Sequence, residues 1–145
     1  MKFNLKENLL MAGGVIAAIA AIWHLLMIIG GPSWYAFARA PDYIVTSARD
    51  GTLIAPVSAI AIAVLMFTCT IYSFSGAGLI RKIPLLKSAL VTISLICLAR
   101  GFIISPAFYP VELLGVWHLV ASSVWFFVGL CFLFGVINNS KSPSA

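Results

Sequence analysis

Leu9–Gly30, LLMAGGVIAAIAAIWHLLMIIG, decides the fold of this chain: it is an unbroken apolar run in which His24 is the only ionisable residue. Crossing a hydrocarbon core of about 30 Å takes roughly 20 helical residues, so this run is long enough to span a bilayer. Three further runs share its character, at about 53–74, 85–104 and 111–136. Gly30-Gly31-Pro32, Ser75-Gly76-Ala77-Gly78, Pro106 and Pro110 punctuate them. Backbone polar groups in lipid must be satisfied within the segment, and no alternating barrel pattern is present, so the runs are read as helices. The expected fold is all-α, a membrane-spanning four-helix bundle with both termini cytoplasmic. Residues 1–137 form a single transmembrane domain, and residues 138–145 a short cytoplasmic tail.

Composition agrees. The chain has 145 residues, 62% hydrophobic and 9% charged, with a mean hydropathy of +1.09. A soluble domain carries about 25% charged residues. The formal net charge is +5, but its placement is a topology signal and predicts no nucleic-acid partner. Lys2, Lys6, Arg81, Lys82, Lys87 and Lys141 fall on one side of a four-span arrangement, and only Arg39 and Arg49 on the other. The positive-inside rule puts the first set in the cytoplasm. Trp34, Tyr35, Tyr43 and Tyr109 are then expected at the outer interface.

The first run has a basic start and is followed by Ala36-Phe37-Ala38, a signal-peptidase-like pattern. Its apolar stretch exceeds the roughly 7–15 residues of a signal core, and the pattern lies beyond Pro32 and Trp34, so an uncleaved anchor is expected. The long connection from Gly31 to Thr52 holds one candidate helix over residues 41–51: Pro41 suits a first turn, Asp42 its positive end and Gly51 the stop.

Small residues allow membrane helices to approach closely. Gly13, Ala17, Ala20 and His24 follow one face of the first run, Ala55, Ala59 and Ala63 one face of the second. Gly115, His118, Ser122, Trp125 and Gly129 do so in the fourth. Both histidines, each within a Trp-His-Leu triplet, should therefore point inward. Cys69, Cys97 and Cys131 sit in three different runs without a Cys-x-x-Cys pair, and read as small hydrophobes.

Counting from the run ends, His24, Asp50, Arg100, Glu112 and His118 fall at one level, roughly the outer third of the bilayer. Ionisable groups in membrane segments face the interior, a partner or water. Arg100 has three structural roles open to it: an ion pair with Glu112, one with Asp50, or snorkelling to the headgroups. The histidines can be neutral imidazoles bonded to a serine, a backbone carbonyl or each other. The sharper alternatives are a haem held by His24 and His118 as two axial ligands, or a site for an anionic small molecule or a proton. Zinc wants about four N/S ligands and is disfavoured. Gly76-Ala77-Gly78 lacks the third glycine and the strand of a dinucleotide fingerprint, and no Walker loop or His-Glu-x-x-His pair occurs.

The stretch from Tyr72 to Lys87, with Leu98-Ala99-Arg100-Gly101, the Gly31–Thr52 loop and Ser122-Ser123, resembles a group of small bacterial four-span inner-membrane proteins. The resemblance covers most of the chain. It implies a multi-pass protein of a bacterial inner membrane and transfers no catalytic residue. The leading functional expectation is a non-enzymatic accessory or partner-binding subunit, or a homo-oligomer, with no cofactor. A haem- or ligand-binding protein is the alternative, and an oligomeric transporter the third.

Overall fold

The computed structural model describes residues 4–103 and 111–137, with backbone alone for Ile103 and residues 111–115. Among the described residues the fold is all-α and 84% helical. Its elements are α1 (Leu5–Gly30), α2 (Pro32–Phe37), α3 (Asp42–Arg49), α4 (Ile54–Gly76), α5 (Leu86–Ile103) and α6 (Val111–Ile137). Among the described residues three helices are long and apolar enough to cross a membrane: Leu5–Gly30, Ile54–Gly76 and Val116–Ile137. The protein is thus a small helical protein with three candidate membrane spans. The run expected as a third of four spans is α5, 18 residues with Lys87 near its start and Arg100 in its last turn, and it is not one of these three. The expected tail and Tyr109 lie outside the described residues.

Local chemistry explains where the helices begin and end. Asn4 and Glu7 form a capping box: Glu7 N–H donates to Asn4 Oδ1 at 3.1 Å, and Asn4 N–H to Glu7 Oε2 at 3.0 Å. Helix α1 therefore starts at Leu5, one turn before the apolar run. At its far end Gly31, at φ +66°, turns the chain, and Pro32 opens α2, a helix that the reading of Gly-Gly-Pro as a simple stop did not anticipate. The expected helix in the long connection is present as α3, with Pro41 as its N-cap and not inside its first turn.

The chain divides into two compact units, one of Met1–Ala17 with Cys69–Ala145, the other Ala18–Thr68. In the first, Leu10, Leu90, Val128 and Phe132 form the core with Ala77 and Cys97. Lipid tails are as apolar as these side chains, so close packing and interhelical hydrogen bonds hold such contacts together. Thr70 Oγ1 donates to the Gly14 carbonyl at 3.0 Å, Ser94 Oγ to the Gly129 carbonyl at 2.8 Å, and Ser73 Oγ to the Leu10 carbonyl. Where α5 meets α6, a Cβ on Gly101 would lie 2.8 Å from the Phe126 backbone nitrogen, and one on Gly129 2.9 Å from that of Leu98. Only glycine fits at these two points.

In the second unit Met27, Tyr35, Ile44, Val45, Ala55 and Ala59 form a core beneath α2 and α3. Helix α3 is amphipathic: Ile44, Val45 and Ser47 are buried, whereas Asp42, Thr46, Arg49 and Asp50 are exposed. Ser47 also caps the next helix, its Oγ accepting the Ala55 N–H at 3.0 Å while bonding Thr52 Oγ1 at 2.6 Å. An α4 backbone donor that local sequence leaves unsatisfied is thereby matched.

Candidate functional site

His24 sits half-buried on α1, three residues beyond the buried Ala21 and three before the buried Met27. Its Nδ1 lies 2.8 Å from the Ala20 carbonyl. A carbonyl oxygen only accepts, so Nδ1 carries a proton in this contact, and in the neutral form of the ring the lone pair is on Nε2. The carbonyl partner is among those expected for this histidine, and it comes from the preceding turn of the same helix. The arrangement can accept a hydrogen bond, exchange a proton or ligate a metal through Nε2.

Next to it in sequence, Trp23 stacks on Trp34 with ring centroids 5.3 Å apart and planes at 24°, and Phe37 lies 6.3 Å from Trp23. The stack depends on Gly30, because any Cβ there would strike the Trp34 indole. Trp34 and Phe37 remain exposed, as does Tyr43 on α3.

Tyr35 differs from them in its surroundings. It is only 3% exposed, since a turn of α2 that presents Trp34 and Phe37 outward presents Tyr35 to the core. Its hydroxyl is buried without a hydrogen-bond partner among the described residues, and desolvation pushes its pKa above the ordinary tyrosine value. The sequence held one signal for it: Pro32 at the start of a helical turn places residues 34 and 37 on one side and 35 on the other.

Asp50, the C-cap of α3, is exposed. In the other unit, His118 is half-buried on α6, one turn from the buried Ser122, and Arg100 is exposed on α5. The contact of Gly101 with the Phe126 backbone sets Arg100 beside the middle of α6. Phe126 is eight residues past His118, or about 12 Å along the axis, so this register does not bring Arg100 level with His118. The cause is unequal length: α6 has 27 residues against 18 in α5. Glu112 stands still further toward the start of α6, and its side chain lies outside the described residues. Among the described residues no group of three or more His, Cys, Asp or Glu side chains is placed to hold a metal ion. The buried Ser73 and Ser94, which hold helix contacts, were not singled out by sequence, because serine in an apolar run looks neutral, and the bonding roles of Ser47 and Ser75 in their loops were not read either. The chain matches no protein-family model, no curated protein and no solved structure.

Proposed function

We propose that this chain is a four-span protein of a bacterial inner membrane, both termini and the Arg81–Lys87 connection cytoplasmic, acting as a non-enzymatic accessory or partner-binding subunit. Helix α5 is the additional span, third in chain order. Its 18 residues reach about 27 Å, and Lys87 and Arg100 sit near its ends, where long cations snorkel to the headgroups. The resemblance of the Tyr72–Lys87 region to small bacterial four-span proteins points the same way.

One observation carries the accessory reading. In the three candidate spans only 28, 22 and 39% of the apolar window is buried within the chain, so most of each helix surface is left for lipid or for other helices. Purification from native membranes in mild detergent tests it: a second protein, or further copies of this chain, should co-elute in fixed stoichiometry. A monodisperse monomer under the gentlest extraction contradicts it.

A second reading has a specific observation in its favour. Anchoring of Nδ1 to a carbonyl is the device that orients metal-ligating histidines, and it leaves Nε2 of His24 available to a haem iron. An oxidised-minus-reduced absorption spectrum decides: sharp reduced bands lost in His24→Ala establish it, and a flat spectrum from folded, haem-replete protein removes it.

A further inference from the structure

The connection between α4 and α5 sets exposed cations beside exposed aliphatic side chains on a turn pinned by a buried serine. Helix α4 is stopped by Gly78 at φ +78°, with Leu79 N–H donating to the Phe74 carbonyl at 3.0 Å and Gly78 N–H to that of Ser75 at 3.2 Å. This is a Schellman stop. The Ser75 side chain, 2% exposed, then reaches forward. Its hydroxyl donates to the Arg81 carbonyl at 3.1 Å and accepts the Ile83 N–H at 3.1 Å. The backbone from Arg81 to Ile83 is thereby held in one shape.

On that shape Arg81 and Lys82 are exposed, with Lys87 following at the start of α5. No acidic residue stands between Asp50 and Glu112 in the sequence, so this connection carries cations alone. Leu79, Ile80 and Leu85 are exposed beside the cations. Leu85 is the sharpest case: it is 77% exposed and its φ is +58°, a left-handed conformation that costs a residue with a Cβ about 1–2 kcal/mol. A leucine displayed outward at such a cost suits an apolar boundary and not water.

We propose that this turn is a binding site for anionic phospholipid headgroups. Arg81, Lys82 and Lys87 meet the phosphodiester, Arg81 with a fork that matches two phosphate oxygens, while Leu79, Ile80 and Leu85 enter the acyl boundary beside it. The proposal rests on reading α4 as a membrane span, and it adds to that reading a built site with its own lipid preference.

The full chain, reconstituted in vesicles of three parts phosphatidylcholine to one of phosphatidylglycerol, tests it. Lipids retained after gentle detergent release are identified by mass spectrometry of the intact complex. The wild type should retain phosphatidylglycerol over phosphatidylcholine at a ratio far above the one to three of the vesicle. Each near-surface cation contributes about fivefold, so Arg81→Gln/Lys82→Gln/Lys87→Gln should reduce that enrichment at least tenfold. Lys82→Glu alone, at an exposed loop position, should reduce it at least fivefold and serves if the triple variant does not accumulate. Ser75→Ala keeps every charge and should also lower the enrichment. Retention in bulk proportion by the wild type overturns the proposal, as does undiminished enrichment in the cation variants. Wild-type enrichment in Ser75→Ala overturns the built site in favour of diffuse charge attraction. Extraction of the wild type by alkaline carbonate contradicts the spanning reading itself, an outcome distinct from an inserted chain without lipid preference.

Discussion

Tyr35 is the residue whose surroundings and chemistry disagree most. Its ring belongs in the core with Met27, Ile44 and Val45, but its hydroxyl has no partner there among the described residues. An unmatched buried hydroxyl costs about 1–3 kcal/mol. Tyr35→Phe should therefore stabilise the protein by about 1 kcal/mol, read as a higher thermal midpoint in mild detergent; a lower midpoint would show that the hydroxyl is satisfied. The pH dependence has a definite sign. The folded pKa is raised by desolvation, so the neutral phenol's contribution is fully present below the unfolded value near 10. It is lost as pH rises through the higher folded value. Wild type should lose stability above about pH 10 faster than Tyr35→Phe, and parallel curves would contradict this. The burial of Tyr35 was not legible in the sequence, because an aromatic beside Trp34 after a helix stop reads simply as interfacial. Its side of a six-residue helix is set by a single turn, too short for periodicity to register.

The helix ends carry the next scale of prediction. Helix α2 closes with Ala40 N–H bonded to the Tyr35 carbonyl at 2.9 Å and Arg39 N–H to that of Ala36 at 3.0 Å, with Arg39 at φ +55° where glycine is the usual residue. Arg39→Gly should raise stability by about 0.5–1 kcal/mol in the same thermal assay, whereas a loss would mean that the arginine side chain holds the turn. At the α5–α6 contact the argument reverses. Gly101→Leu drives a side chain into the Phe126 backbone and should cost about 1–3 kcal/mol, while the same change at Gly78, which has open space around it, disturbs only the turn. Equal effects on helix packing at the two sites, measured by cross-linking of α5 to α6, would refute the close crossing. Helix α3 was readable because Asp42 and Gly51 bracket an amphipathic stretch. The early start of α1 was written as Asn4-x-x-Glu7, but apolarity alone begins the count at Leu9.

At the scale of the molecule, hydropathy marks which segments are helical and nearly nothing about their register. Helices α1, α4 and α6 are apolar on nearly every side, and their small-residue stripes mark a packing face without telling how far one helix is shifted along another. The relation of Arg100 to His118 came from a glycine contact that no pattern in the chain announced. Charge is the more legible quantity at this scale, since the lysines and arginines cluster at the termini and in the α4–α5 connection. The central claim is that α5 crosses the membrane, which places that connection and the carboxyl terminus on one side. Single cysteines at positions 49, 82 and 141, in a background with Cys69, Cys97 and Cys131 replaced by alanine, test it with a membrane-impermeant maleimide on intact cells. Arg49→Cys should label from outside, and Lys82→Cys and Lys141→Cys only after permeabilisation. Labelling of Lys141→Cys from outside, with Lys82→Cys still protected, would mean three spans and contradict the account.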